Sequence, residues 1–285
     1  MTAPMNRVST IARRVSGVAD GKVALAVAVL FLLVAVFGPI LIPIDPLAQV
    51  SGEELLPPSP AHWLGTDQLG RDVLTRLVYG TRTSLLLSAA SVGAGALAGI
   101  PLGLIAGYRS GVIEAIIMRP VDALLAMPSI LSGIVVATVL GVGPFTVALT
   151  IAIVTAPVFA RVIRGAVLKE LGKEYVTAAV ALGARGPRIV VRHIVPNIVS
   201  SVLPQFVLAV ATSVVLEASL SFLGLGTQRP APSWGVMLDD GRSYLQDAPW
   251  IVLSAAVAVV CLIGALTGLS SLLTRWLNPS ERRDQ

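Results

Sequence analysis

The sequence is poor in the residues from which disulfide frameworks, metal centres and catalytic sites are built. Its single cysteine, Cys261, excludes an intrachain disulfide and a thiolate metal cluster, and the apolar stretch around it predicts a small core or lipid-facing residue. The only histidines are His62 and His193. Charged residues occupy 13% of the 285 positions, whereas a soluble domain carries roughly 25%. This scarcity of charge excludes an ordinary soluble domain.

Apolar residues are what the sequence has in excess. They make up 55% of the chain, and the mean hydropathy is +0.83. Such a composition predicts an integral membrane protein in contact with lipid. The net charge of +5 is scattered between apolar runs. Because nucleic acid binding requires a dense and exposed basic patch, we expect no nucleic acid partner.

The first apolar run covers residues 23–44 and follows a basic arm at residues 1–22. A basic segment before an apolar run is also typical of a secretory signal. This run is too long for the apolar region of a signal, and it lacks a small-x-small cleavage site. We therefore interpret residues 23–44 as an uncleaved first span.

Charge-free windows long enough to cross a bilayer predict the remaining spans, since a span needs about 20 apolar residues. They lie at residues 83–108, 123–160, 193–216 and 248–274. The second window is about twice the required length, and Gly141, Gly143 and Pro144 form a turn signal in its middle. Pro128 is expected to kink a span that begins near Met118. The sequence thus predicts an all-α integral membrane protein with six transmembrane helices.

The distribution of lysine and arginine predicts the orientation. A cytoplasmic N-terminus leaves only Arg71, Arg76, Arg82, Arg229 and Arg242 outside the cell. The positive-inside rule therefore places both termini in the cytoplasm of a cell-membrane protein. Residues 45–82 become an extracytoplasmic loop, residues 83–277 hold the second to sixth spans, and residues 278–285 form a cytoplasmic tail. The four tryptophans then fall near membrane edges, as in an aromatic belt.

The predicted cytoplasmic loop at residues 169–197 contains a short helix. Tyr175, Ala178, Ala179 and Leu182 recur at helical spacing, so one face is apolar and partly very small. Gly183 is expected to end this helix in a left-handed conformation. A helix with a small apolar face fits the groove of another protein. It equally fits a surface helix that packs on its own bundle, and the residues alone do not choose between the two.

The extracytoplasmic loop carries a polar, tightly turning segment, HWLGTDQLGRD. A phosphate loop would follow a strand, which this segment does not, and a metal site would have only His62, Asp67 and Asp72 as ligands. We expect no metal and favour a turn that folds over a channel mouth and contacts a binding protein. The candidate docking residues are His62, Trp63, Gly65, Thr66, Asp67, Gly70, Arg71 and Asp72.

Ionisable groups within a span indicate function, because an ionised carboxylate in lipid costs several kcal/mol. Glu217, with Ser213 and Ser221 near it, is a candidate for lining a channel. It is equally interpreted as an interfacial residue that hydrogen-bonds the glycine-rich segment after it. Asp122 is expected to pair with Arg119, one helical turn earlier.

The loop at residues 169–197 resembles the EAA loop of bacterial ABC importer permeases. Ala178, Ala179, Gly183, Val195 and Pro196 match its pattern, whereas Thr177 stands where the pattern has glutamate. The chain is similar to the C-type permeases of the peptide and nickel importer family. Four ordered blocks carry this resemblance, namely HWLGTDQLGRDVLTRLVYGTRTSL, RPVDALLAMPS, EYVTAAVALGA with RHIVPN, and LEASLSFLGLG followed by PSWGVML.

The resemblance implies a type I ABC importer permease fold and a subunit without catalytic residues. It implies coupling to an ATPase through Tyr175, Thr177, Ala178, Ala179, Leu182, Gly183, His193, Pro196 and Asn197, and adds Trp234 to the docking set. The implied partners are a homologous second permease in a heterodimer, one or two ABC ATPase chains that bind ATP and magnesium, and an extracytoplasmic substrate-binding protein. No Walker A pattern occurs in this chain, so we expect no cofactor here.

Two other classes of protein compete with this interpretation. A stand-alone channel or secondary transporter would carry more polar groups at the membrane centre and would not need a coupling helix. An intramembrane enzyme would need converging catalytic side chains, but the two histidines are predicted on opposite sides of the membrane. Within the family, dipeptides and oligopeptides are the first-choice substrates, and nickel, haem or another small solute is the alternative.

Overall fold

The computed structural model describes residues 6–184 and 186–277, with side chains from residue 21 onward except at 180. These residues form helices and loops and contain no strand beyond an isolated Thr66–Asp72 bridge. The first five residues of the predicted N-terminal arm and the predicted tail lie outside the described residues. The helices are α1 Asn6–Leu41, α2 Val73–Tyr108, α3 Val112–Leu125, α4 Ser129–Leu140, α5 Pro144–Leu171, α6 Glu174–Ala181, α7 Gly186–Ile189, a π-helical segment Val190–Ile194, α8 Val195–Phe222, α9 Trp234–Gly241, a 3₁₀ turn Arg242–Tyr244 and α10 Pro249–Leu277.

Five of the described helices are long and apolar enough to cross a membrane, and α3 with α4 makes a sixth span if the bent pair is counted as one. The two helices meet at an angle of 96°. Pro128 causes the break, since proline lacks an N–H and forces the preceding residue away from helical geometry. The predicted kink is thus a sharp bend, and the helix before it begins at Val112, earlier than predicted.

The turn predicted within the window 123–160 is present. Helix α4 ends at Leu140, and α5 begins at Pro144. Gly141 has a φ of 84°, which favours glycine, and proline is well suited to the first turn of α5 because its missing N–H would have no helical partner there. The prediction that this window holds two helices is confirmed.

Helix α2 begins at Val73, ten residues before the charge-free window that predicted it. Asp72 caps the helix, with its Oδ1 accepting a hydrogen bond of 2.7 Å from the backbone N–H of Thr75. The first turns of α2 carry Arg76 and Arg82, so a search for charge-free windows leaves these turns out. The last ten residues of the predicted loop 45–82 are therefore helical.

Helices α2 and α5 approach each other closely through four glycines of α2 at a spacing of four residues. These are Gly95, Gly99, Gly103 and Gly107. A Cβ atom at Gly99 would lie 2.2 Å from the carbonyl oxygen of Ala156, and one at Gly103 would lie 2.5 Å from that of Ala160. Small residues at this spacing let helix backbones pack directly in a membrane. The contact fixes α5, and with it the position of α6.

We expect Gly99→Ala to destabilise the protein by about 1–3 kcal/mol, because the added methyl group meets backbone that cannot move without separating the helices. Gly93→Ala is the matched control, since a Cβ at Gly93 meets no atom within 4 Å. Thermal unfolding of both purified variants in detergent measures the difference. Equal midpoints for the two variants would contradict the proposed packing constraint.

The carboxylate of Asp122 is paired, but its partner is Arg161 of α5 and not Arg119. Glu114 in α3 makes a second such pair with Arg164, one helical turn further along α5. The expected pairing with Arg119 is wrong because α3 lies against α5, which brings the Arg161 side chain to the carboxylate.

Candidate coupling and docking sites

The side chain of Val176 packs helix α6 against the bundle. Val176 is buried in an apolar cluster with Ile163, Val167, Ile189 and Ile194. In contrast, Ala178 is exposed and Leu182 is 89% exposed. The face predicted from Tyr175, Ala178, Ala179 and Leu182 therefore points largely away from the chain. Of the two alternatives left by the sequence, the geometry favours a helix with a free face.

Gly183 ends α6 in the left-handed conformation, with a φ of 79°. The backbone N–H of Ala184 donates a hydrogen bond of 3.0 Å to the carbonyl oxygen of Ala179, five residues earlier. This bond is typical of a Schellman cap, and it turns the chain back toward α7. The predicted conformation of Gly183 is confirmed.

Tyr175 connects α6 to two of the spans. Its hydroxyl donates to Oε2 of Glu170 in α5 at 2.5 Å and accepts from Nδ2 of Asn197 in α8 at 3.2 Å. The same amide nitrogen donates to the carbonyl oxygen of His193 at 2.6 Å, and Lys173 binds Oε1 of Glu170 at 2.6 Å. Burial, together with the neighbouring Glu170 carboxylate, raises the pKa of Tyr175 to about 12, so the phenol stays a donor.

These hydrogen bonds around Tyr175 form a network, here called the Tyr175 anchor. It contains residues that the sequence predicts and two that it does not. Tyr175, His193 and Asn197 were candidates and come together, whereas Glu170 and Lys173 were not singled out. Pro196 lies exposed beside Asn197, and Thr177 is exposed on α6. No local pattern marks Glu170, because its partner Tyr175 reaches it only after the chain turns at Gly172.

The predicted docking segment precedes α2, at the end of that helix away from α6, and most of the segment is buried. Thr66, Asp67 and Arg71 are each at most 2% exposed. The hydroxyl of Thr66 accepts from the backbone N–H of Leu56 at 2.8 Å and donates to the carbonyl oxygen of Glu53 at 2.5 Å. Gly70 has a φ of 69°, and a Cβ there would lie 2.2 Å from the carbonyl oxygen of Val50. These residues shape the loop from inside.

A buried charge cluster ties this loop to α9. Arg71 Nε lies 2.7 Å from Asp67 Oδ2, and Arg76 Nε lies 3.3 Å from the same oxygen. Both arginines also contact Asp240 Oδ2, at 3.3 and 3.1 Å. All four side chains are at most 3% exposed. The sequence reasoning singled out Asp67 and Arg71 but missed Arg76 and Asp240.

His62 is held between two carboxylates. Its Nδ1 lies 3.0 Å from Asp72 Oδ2, and its Nε2 lies 3.2 Å from Glu53 Oε2. A carboxylate accepts only, and a neutral imidazole has a single N–H, so both contacts are hydrogen bonds only when the ring is protonated. The hydrogen bond to Asp72 is the main reason that the pKa of His62 is raised above its usual value.

We expect this loop to become more open as pH rises through the raised pKa of His62. A raised folded-state pKa means that the imidazolium contributes stability fully below its ordinary value of about 6.5 and loses that contribution as pH rises. Amide hydrogen exchange of residues 53–62, corrected for intrinsic rates and compared between mildly acidic and alkaline pH, measures the change. His62→Gln should abolish the pH-dependent difference. A difference that persists in this variant would refute the assignment to His62.

The two candidate tryptophans of the docking set have opposite exposures. Trp63 is 73% exposed, whereas Trp234 has no exposed surface and packs edge-on against Phe31. The prediction that Trp234 belongs to an aromatic belt at the membrane edge is therefore wrong. Gly65 is buried against Trp250, whose indole N–H donates to the carbonyl oxygen of Thr66 at 3.1 Å. Within the described part of the chain, no group of three potential metal ligands converges.

The three channel candidates are buried inside the chain. Ser213 and Ser221 are 2% exposed, and Glu217 is fully buried. The Ser221 hydroxyl donates to Glu217 Oε1 at 2.9 Å and accepts from the backbone N–H of Thr227 at 3.1 Å. The geometry is nearer to the second alternative, but Glu217 is fully buried and reaches the glycine-rich segment through Ser221 and not directly.

Taken together, the apolar spans, the helix with a free face at one end and the buried ionic loop at the other are those of a multi-pass membrane protein. The sequence profile of the family described as binding-protein-dependent transport system inner membrane component matches residues 99–283. The chain belongs to this family, whose members are the permease components of ABC importers and work with a separate ATPase.

Similar proteins carry peptide-related names. The dipeptide transport system permease protein DppC of Alkalihalophilus pseudofirmus is 38% identical, over 90% of this chain and 84% of the relative. The glutathione transport system permease protein GsiD of Pectobacterium atrosepticum is 43% identical, over 78% and 74%. The oligopeptide transport system permease protein OppC of Bacillus subtilis is 40% identical, over 80% and 75%.

Solved structures agree on the fold. An inward-facing structure of the MetNI methionine ABC transporter contains a chain that matches with a TM-score of 0.60 and 18% identity, over 71% of this chain and 96% of that chain. A second crystal form of the same transporter matches with a TM-score of 0.55. The predicted ABC importer permease fold is confirmed.

Proposed function

We propose that this chain forms half of the translocation channel of an ATP-driven importer for dipeptides or oligopeptides. In this proposal both termini are cytoplasmic, so α6 faces the cytoplasm and the loop before α2 lies outside. The names of the similar permeases support a peptide substrate. Nickel, haem or another small solute stays the alternative, because the binding protein sets selectivity in many importers.

The observation that carries the proposal is that α6 has a free face while its other side is fixed to the bundle. Ala178 and Leu182 are exposed, while Tyr175 and Val176 fix the helix to α5 and α8. A helix that has one face available to a partner and the other face fixed to the spans can pass a movement of the partner on to the spans. The partner is the ABC ATPase, which binds ATP and magnesium and dimerises; its closure would move the spans as rigid bodies and alternate the access to the channel.

A second homologous permease would complete the channel as a heterodimer, and a substrate-binding protein would deliver solute to the outer face. We propose that the loop around His62 and Trp63 contacts this binding protein. The buried residues of the same segment then act indirectly, since Asp67, Arg71 and Arg76 hold the loop against α9. We assign Glu217, Ser213 and Ser221 to support of this outer region and not to the channel wall.

Crosslinking tests the proposed coupling contact. Ala178→Cys in a Cys261→Ala background is expected to crosslink to the ATPase in membranes, with a yield that changes on adding ATP. Leu245→Cys is the control, because Leu245 is also exposed but lies just after α9, at the other end of the bundle. Peptide uptake into proteoliposomes containing all subunits completes the test. Absence of the Ala178 crosslink, or equal crosslinking from both positions, would refute the proposed contact.

A further inference from the structure

A polar cavity lies between the ends of α5, α8 and α10, next to the Tyr175 anchor. Its volume is about 500 Å³. The walls include Lys169, Glu170, Lys173, Asn197, Ser200 and Ser201. Nothing in the coupling contact described above uses Lys169 or Ser201.

The charged groups left free in this cavity are ammonium groups. Among the described residues of the wall Glu170 is the only carboxylate, and both of its oxygens are already bound, one by Lys173 at 2.6 Å and one by Tyr175 at 2.5 Å. The Lys173 ammonium keeps two further N–H groups. The Lys169 ammonium donates no hydrogen bond to any described residue. Two ammonium groups and one satisfied carboxylate leave a net positive site that suits an anion.

The surroundings of the cavity favour a lipid over a soluble anion. Leu168 beside Lys169, Val199 beside Ser200, and Leu203 are each more than 40% exposed, and Trp276 is 72% exposed. These residues belong to helices long and apolar enough to cross a membrane, so their exposed apolar surface suits contact with acyl chains. Basic pockets between spans on the cytoplasmic side are suited to anionic headgroups.

We propose that this cavity binds the phosphodiester headgroup of an anionic phospholipid, with Lys169 and Lys173 on the phosphate and Ser201 as a further donor. The placement at the cytoplasmic leaflet rests on the proposed function. Lys173 and Asn197 also belong to the Tyr175 anchor, so a bound headgroup would hold α6 more firmly against α5 and α8. Coupling to the ATPase would then depend on anionic lipid.

The test uses the assembled complex in nanodiscs of phosphatidylcholine with a fixed fraction of phosphatidylglycerol, and counts the retained phosphatidylglycerol by native mass spectrometry. We expect Lys169→Gln to lower retention about fivefold, since one basic residue near a membrane surface is worth about a factor of this size. Lys169→Arg should retain the lipid. Arg188→Gln is the control, because it removes an exposed positive charge on α7, outside the cavity wall.

Three results would overturn the proposal. The first is equal retention by Lys169→Gln and the unaltered chain. The second is full displacement of phosphatidylglycerol by inorganic phosphate, which would indicate a site for a free anion. The third is loss of the ATPase from Lys169→Gln in nanodiscs of phosphatidylcholine alone, which would indicate a protein contact. The lipid count does not depend on transport, so failure of the proposed function would show separately as absent uptake with normal lipid retention.

Discussion

Ala178→Glu is expected to reduce ATP-driven uptake to background while the chain still inserts into the membrane. Ala178 is exposed on the free face of α6, where a small side chain permits close approach by a partner. A glutamate at that position would place an unpaired carboxylate in the closed interface, at a cost of about 3–5 kcal/mol. Since about 1.4 kcal/mol corresponds to a tenfold change, the affinity for the ATPase should fall at least about a hundredfold.

The control for this prediction is Thr177→Glu. It adds the same side chain at the neighbouring exposed position, where the EAA pattern has glutamate, so we expect the ATPase to remain bound. Co-purification of the ATPase and uptake into proteoliposomes are measured for both variants. If Ala178→Glu retains the ATPase and transports normally, α6 is an ordinary surface helix.

Helix α6 could be predicted because its signals are local. The apolar spacing over residues 175–182 predicts a helix that the structure places at Glu174–Ala181. The expected left-handed Gly183 depends only on the geometry of a helix end. In both cases the interactions that decide the structure lie within a few residues of sequence.

The buried ionic cluster could not be predicted in the same way. Asp67 and Arg71 sit in a polar, glycine-containing segment, which is typical of an exposed loop. Their burial depends on Asp240, which lies 169 residues after Arg71. Asp67 alone cannot balance both Arg71 and Arg76, so the cluster can be buried only because Asp240 supplies a second carboxylate from a distant part of the chain. A sequence without this pairing information indicates polarity but not burial.

The four glycines of α2 are a signal that the sequence contains and that the sequence analysis above does not use. Gly95, Gly99, Gly103 and Gly107 repeat at every fourth position, a spacing that predicts a close helix contact in a membrane. The partner helix was not readable, because the spacing does not say which span supplies the facing backbone. The structure identifies α5, through Ala156 and Ala160.

Asp240→Asn is expected to cause the largest loss of stability among single changes outside the spans. Asp240 Oδ2 accepts from Arg71 and Arg76, and its Oδ1 accepts from Arg229 Nε at 2.7 Å. Asparagine keeps the shape but removes the charge, so two buried guanidinium groups would share the single carboxylate of Asp67. An uncompensated buried charge costs about 3–5 kcal/mol.

The neighbouring residue provides the control for Asp240→Asn. Asp239 pairs with Arg229 and Arg242, whose side chains are 57% and 62% exposed. Water can therefore solvate these arginines when the pair is broken, and Asp239→Asn should cost no more than about 1 kcal/mol. Thermal unfolding in detergent compares the variants. Combining Asp240→Asn with Arg76→Gln should recover part of the loss, because the second change removes one of the unmatched charges. Similar unfolding midpoints for Asp239→Asn and Asp240→Asn would mean that the cluster does not hold the loop before α2 to α9.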